Sequence, residues 1–301
     1  MTTRVKALWA LGAVCFFWGT TYLAIKVGVR TMPPLLFSGT RFMLAGVILA
    51  LFAAATGRRF PGREDVRPLA VSGVLLLAVA NSVLAWALRR VPSGLASLMV
   101  AMTPLWLVVW ARAGGETVTA RGAAGLALGL AGLFVLLRPH LALGSLDVGL
   151  LPGALALCGS TGVWAWASLY AKRRPHGADP VAAVAFQKLV GGGAAVALGL
   201  ALGEGGRWHP SAAGLWALLY LTFAGSVIGF TAYVYALAHL PTERVAVYAY
   251  VNPLVAVSLG VFFGGERADV HLFLGAPVVL LAVWLVNSKG GGAAATAEAA
   301  G

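Results

Sequence analysis

The sequence predicts an all-α polytopic membrane protein: ten transmembrane helices arranged as two inverted five-helix repeats. Three observations carry this reading. The 301 residues are 60% hydrophobic and only 11% charged, whereas a soluble globular chain carries about a quarter charged residues. The apolar residues come in blocks of roughly 20, long enough to cross a hydrocarbon core of about 30 Å as helices. Finally, the chain repeats itself. PSGLASLMVAMTPLW (92–106) has a partner in PTERVAVYAYVNPLV (241–255), with Pro92 and Pro104 falling on Pro241 and Pro253 at an offset of 149 residues.

Span one is read at 7–28. It ends in WGTTYLAIK and is a full-length apolar block without a small-residue cleavage site, so no cleavable signal peptide is expected. Span two is read at 34–55. The longest clearly polar loop, GRRFPGREDVR (57–67), separates it from span three at 68–88. Span four covers 92–111 and span five 121–138. The second series runs 148–171, 180–202, 211–237, 242–263 and 270–287. The tail GGGAAATAEAAG (290–301) is low-complexity and expected to be disordered. The chain therefore divides into a first repeat at 1–138, a second at 148–287 and a tail at 288–301.

The duplication reaches beyond spans four and nine. WGTTYLAIK (18–26) falls on WAWASLYAK (164–172), and PLLFSGTRF (34–42) on PVAAVAFQK (180–188), both at an offset of 146. ALRRVP (87–92) falls on ALAHLP (236–241). Five is odd, so the second copy enters the membrane upside down. Inverted repeats of this kind mark secondary transporters, with the substrate site near the midplane between the halves. With the N-terminus inside, most lysines and arginines outside the spans fall on the inner face, so both termini are expected to be cytoplasmic; the pair Arg89–Arg90 is the main exception.

The first-span WGTTYLAIK, the RF at 41–42, and the two-proline stretch followed by GGE at 114–116 and again at 264–266 resemble the EamA-type repeat of the drug/metabolite transporter superfamily. The resemblance covers about 7–287. It implies ten helices around a central cavity in the bacterial cytoplasmic (inner) membrane, and export of amino acids or other metabolites. The second repeat departs from the first at Gln187, where the first has Arg41, so the two halves are expected to contribute unequally.

Several residues could carry the function. Pro104 and Pro253 lie mid-span and free the carbonyls of Val100 and Ala249, marking candidate hinges, with Thr103 and Asn252 adding polar groups at the same depth. Charges inside spans are costly and are functional candidates by default. Arg41 in span two and Lys188 in span seven are such charges, each expected to attract a substrate carboxylate from its own side. Lys26 is read as snorkelling to the interface. Trp18, Tyr22, Tyr248 and Tyr250 lie deep enough to line a pocket, and Asn81, Ser82, Gln187, Ser226 and Thr231 could fix a substrate's polar groups. Trp164 and Trp166 open the matching part of span six. Glycines in GLALG, GSVIG, GVFFG and Gly191–Gly193 read as close helix packing.

The absences also discriminate. No Asp or Glu falls in the middle of a span, and Glu116 and Glu266 lie at the ends of spans four and nine. Ion-coupled carriers usually keep a buried carboxylate, so facilitated export down a gradient, or coupling through some other group, is expected. No H-E-x-x-H or G-x-S-x-G motif occurs, which counts against an integral membrane enzyme. The net charge of +12 is read as topology-setting loops rather than a nucleic-acid surface, and Cys15 and Cys158 as packed thiols. No cofactor or metal is expected. The predicted function is export of a small organic metabolite, most plainly an amino acid, by alternating access in a monomer embedded in the lipid bilayer. The rivals are carriers of the same fold for sugars, nucleotide-linked sugars or drugs.

Overall fold

The computed structural model describes residues 2–115, 120–141, 150–174, 176–240, 248–267 and 270–287. They form ten helical rods. The first repeat contains α1 (Thr3–Gly28), α2 (Pro34–Ala55), α3 (Arg63–Ala87), α4 and α5 (Ala120–Leu141). α4 is built of two pieces, Ser93–Ala101 and Thr103–Ala113. The second contains α6 (Leu150–Lys172), α7 (Pro180–Ala201), α8 (212–239), α9 (Tyr248–Phe262) and α10 (Val270–Asn287). Six of these, α1, α2, α3, α6, α7 and α8, are long and apolar enough to cross a membrane on their own.

Local chemistry sets the ends. Proline occupies the first turn of α2 and of α7, where its missing N–H costs nothing. The N-terminus of α7 is capped by Asp179, which accepts from the Val181 N–H at 2.8 Å, and that of α2 by Glu204, which accepts from the Leu36 N–H at 2.9 Å. α2 and α7 run into Gly57 and Gly203, at φ +64° and +72°; α4 and α9 run into Gly115 and Gly265, at +86° and +66°. These four glycines are two repeat-equivalent pairs, so the duplicated chain uses the same left-handed stop twice.

Sequence periodicity does not show one duplicated feature. α3 contains a π-helical stretch at Val74–Ala80 and α8 one at Leu221–Ile228, equivalent positions of the two repeats. A π turn widens the helix and redirects carbonyls, a device concentrated at functional sites.

The packing is symmetric. α2 lies along α7, and α5 along α10. α1 rests on α9 and α8, and its equivalent α6 on α4 and α3. The pseudo-twofold axis therefore passes through the α2–α7 and α5–α10 pairs. At the first of these, Gly46 meets Leu189 and Gly192 meets Met43: a Cβ on either glycine would come within 3.0 Å and 2.8 Å of the facing backbone nitrogen. Both contacts are one contact seen from the two repeats.

Candidate functional site

Five helices, α1, α2, α7, α8 and α9, supply the central cluster. Arg41 on α2 is buried, and its Nε donates to Ser226 Oγ in the π stretch of α8 at 3.2 Å. Its guanidinium carbon lies 4.9 Å from the centre of the Phe42 ring. Lys188 on α7 is buried too, and its ammonium lies 5.0 Å from the same ring and 5.7 Å from that of Phe230. The two cations expected to serve opposite sides thus share one ring at the twofold axis. Adding the two distances places the charges no more than about 10 Å apart. At an effective dielectric of about 20 they repel by at least roughly 1.7 kcal/mol. Among the described residues neither forms an ion pair, and Lys188 makes no hydrogen bond. A buried cation without a partner is a strong departure from ordinary packing.

An aromatic group adjoins the cations. Trp18 on α1 donates from Nε1 to the Gly225 carbonyl in the α8 π stretch at 3.1 Å. Its ring lies 5.1 Å from Tyr233 and 5.2 Å, edge to face, from Tyr248. Tyr233 in turn meets Tyr248 at 5.8 Å and Phe230 at 6.4 Å. Glycine makes this approach possible: a Cβ on Gly229 would lie 2.7 Å from Trp18 Nε1, and one on Gly225 3.1 Å from an Arg41 nitrogen. Tyr22 is buried in the main core one turn beyond Trp18. Asn252, its amide oriented by its hydrogen-bonding surroundings, donates to the carbonyls of Tyr248 at 3.1 Å and Cys15 at 3.0 Å, tying α9 to α1.

Other sequence-picked residues have structural work. Gln187 donates to Ser72 Oγ at 2.7 Å and pins α7 to α3. Asn81 donates to the Leu76 carbonyl at 3.1 Å, closing the π stretch of α3. Thr231 is exposed on α8 and donates to the Val227 carbonyl of its own helix at 2.7 Å. Thr103 donates to Val100 at 2.6 Å, satisfying the carbonyl that Pro104 frees. α4 breaks at Met102 beside Pro104, while α9 runs through Pro253 without interruption. The two prolines match in sequence but not in shape. The side chains of Pro104 and Tyr250, and the whole of Glu116, lie outside the described residues. Trp164, the repeat partner of Trp18, is exposed on α6.

Lys26 does not snorkel. Its Nζ pairs with Glu266 Oε1 at 2.7 Å. The same carboxylate accepts from the N–H groups of Ser93 at 2.6 Å and Gly94 at 3.2 Å, capping α4. Burial alone would push the Glu266 carboxyl up; Lys26 and the two backbone donors outweigh it and hold it below the ordinary value of 4.5. This contact joins α1 and α4 of the first repeat to the α9–α10 turn of the second, at the face where α1 ends. Near that face a groove of about 350 Å³ runs between α1 and α8, floored by the hydrogen-bonded pair Thr20–Tyr220. Neither Arg41 nor Lys188 lines it.

Sequence reading missed Phe42, Phe230 and the π stretches. Phe42 was within reach, since it is the repeat equivalent of Lys188 in the alignment of 34–42 with 180–188.

Paired inverted halves, helices π-bulged in equivalent places and charge buried on the axis define a membrane transporter. The chain belongs to the EamA-like transporter family, which it matches over residues 5–138 and again over 151–288. It is a multi-pass inner-membrane protein of that family. It is 36% identical, over 92% of its length and 89% of the relative's, to the "Uncharacterized inner membrane transporter YedA" of Escherichia coli K12. It is 28% identical to the "Probable terminal-alkyne amino-acid exporter" of Streptantibioticus cattleyicolor, over 94% of both chains. To the "Probable amino-acid metabolite efflux pump" of Escherichia coli K12 it is 26% identical, over 90% of this chain and 91% of that one. A crystal structure superposes with a TM-score of 0.64 at 22% identity, covering 94% of this chain and 97% of the other, which agrees in fold.

Proposed function

We propose that the protein exports small organic metabolites, amino acids and their relatives foremost, by alternating access about the α2–α7 axis. One observation carries the reading: Arg41 and Lys188 converge on one buried ring between the repeats with no carboxylate partner among the described residues. A substrate carboxylate supplies what they lack. The aromatic cluster of Trp18, Tyr233 and Tyr248 offers an adjoining surface for an apolar or aromatic side chain. The names of two relatives support the amino-acid class. The protein works as a monomer, with N and C termini cytoplasmic, without catalysing a reaction. Transport is facilitative, since the described acidic groups sit at helix ends and cap or pair there. Under this orientation the Lys26–Glu266 contact closes the outer face.

The test is uptake by proteoliposomes containing the purified protein, screened against labelled amino acids and derivatives with and without a pH gradient. Saturable uptake of one group, indifferent to the gradient and reduced at least tenfold in Arg41→Ala and Lys188→Ala, is expected. No uptake of any of them overturns the substrate class. Unchanged uptake in both variants overturns the carboxylate role.

A further inference from the structure

We propose that the central site selects carboxylates of net negative charge, those whose amine is absent, acylated or balanced by a second acid, over zwitterionic amino acids. This rests on the transport reading above and narrows its substrate.

The charge balance around the Phe42 ring favours this. Arg41 and Lys188 bring two positive charges to the Phe42 ring. The described carboxylates that could balance them are engaged elsewhere. Asp65 accepts from Gly62 and Gly177, Asp179 from Arg58 and Val181, Glu204 from Leu36, and Glu266 from Lys26, Ser93 and Gly94. Glu64 lies exposed in the first turn of α3. A zwitterion brings one negative and one positive charge, so it leaves the count at two. A monoanion lowers it to one and a dianion to zero. In a low-dielectric interior that residual charge decides which ligand is retained.

The hydrogen-bond inventory agrees. Arg41 commits only Nε, to Ser226, which leaves its two terminal amino groups; Lys188 has all three donors open. The site is thus rich in donors. Three of its backbone acceptors already serve the protein: the Gly225 carbonyl receives Trp18, and the Tyr248 and Cys15 carbonyls receive Asn252. An α-ammonium adds a third positive charge beside these two, whereas an N-acyl group adds none and can lie against the Trp18–Tyr233–Tyr248 surface.

The experiment is counterflow into proteoliposomes of the full chain with a matched pair, L-phenylalanine and N-acetyl-L-phenylalanine, together with L-glutamate and L-glutamine. Half-saturation for the N-acetyl compound at least tenfold below that for phenylalanine, and for glutamate below glutamine, is expected. Lys188→Met should erase most of that preference and Lys188→Arg should keep it. Both variants are first checked for a monodisperse profile and an unchanged melting midpoint within a few degrees; if Lys188→Met fails this, Arg41→Gln takes its place. Equal or better transport of the zwitterions overturns the anion preference and leaves the amino-acid carrier reading standing. Transport of none of the four overturns both.

Discussion

Replacing Glu266 by Gln isolates the contact between the two repeats, because the amide keeps the shape and removes the charge. In the native protein the carboxylate accepts from Lys26 at 2.7 Å, Ser93 N–H at 2.6 Å and Gly94 N–H at 3.2 Å. The amide offers one neutral oxygen and sets an N–H against donors. Hydrogen bonds to charged groups contribute about 1.5–3 kcal/mol each when buried. Here the Lys26 side chain keeps 20% exposure and that of Glu266 9%, so solvent screening trims the ion pair. A total of about 2–3 kcal/mol follows for the variant, or a fall of roughly 4–6 °C in melting midpoint for a chain of this size. The assay is a fluorescence melt in detergent at neutral pH, repeated in acid. The Glu266 carboxyl is depressed when folded, so its contribution is fully present above its ordinary 4.5 and is lost as pH falls through the lower folded value. The gap between wild type and variant must therefore shrink in acid. Lys26→Ala and the double variant complete a cycle whose coupling is expected near 1 kcal/mol or more. A midpoint within about 1 °C of wild type at neutral pH would refute the claim that this contact bears on stability.

Three further outcomes follow from the packing. Thr103→Val leaves the Val100 carbonyl unpaired beside the α4 break and should lower stability by about 1–3 kcal/mol, with Thr103→Ser restoring it; detergent melts decide this. Gly73→Val drives a side chain into the Gln187 carbonyl, 2.7 Å from a Cβ at that position, and should cost about 1–3 kcal/mol or abolish the monodisperse peak in size-exclusion chromatography. Glu266→Gln should also raise the labelling rate of a cysteine placed at Ser93, a fully buried position, by a membrane-impermeant maleimide, because opening at that face must part α4 from the α9–α10 turn. An unchanged rate counts against an opening there.

The spans were legible because the membrane demands them: an apolar block of about 20 residues has few other destinations. The inverted repeat was legible because Trp18, Lys26 and the prolines recur at nearly constant offsets. Side-chain direction was not. Gln187 and Lys188 are neighbours, yet one turns to Ser72 on α3 and the other to Phe42 on α2, a choice made by the α2–α7 crossing. The π stretches were hidden because they alter hydrogen bonding without altering apolar composition. The Lys26–Glu266 pair spans 240 residues, beyond any local pattern. The signal existed, for Lys26 and Lys172 recur as do Glu116 and Glu266, but connecting them needs α1 placed against α9.

The asymmetry at the axis is where structure and function meet. Residues on a twofold axis face their own equivalents. Phe42 and Lys188 are such a pair, and the cation rests on the ring of its counterpart. An exact duplicate would put two rings or two ammoniums there. Two rings leave Arg41 alone; two ammoniums add a third charge to a buried space. The sequence holds the intermediate, one ring between two cations. Exchanging the pair tests whether the juxtaposition or the particular helix matters. Phe42→Lys alone crowds three cations and should fold poorly. Lys188→Phe alone removes one cation and should fold well but bind anions at least tenfold more weakly. The double exchange restores one ring and two cations, so it should recover folded protein relative to Phe42→Lys and anion binding relative to Lys188→Phe. A double variant no better than the worse single one would show that Lys188 acts through contacts on α7 other than the ring of Phe42.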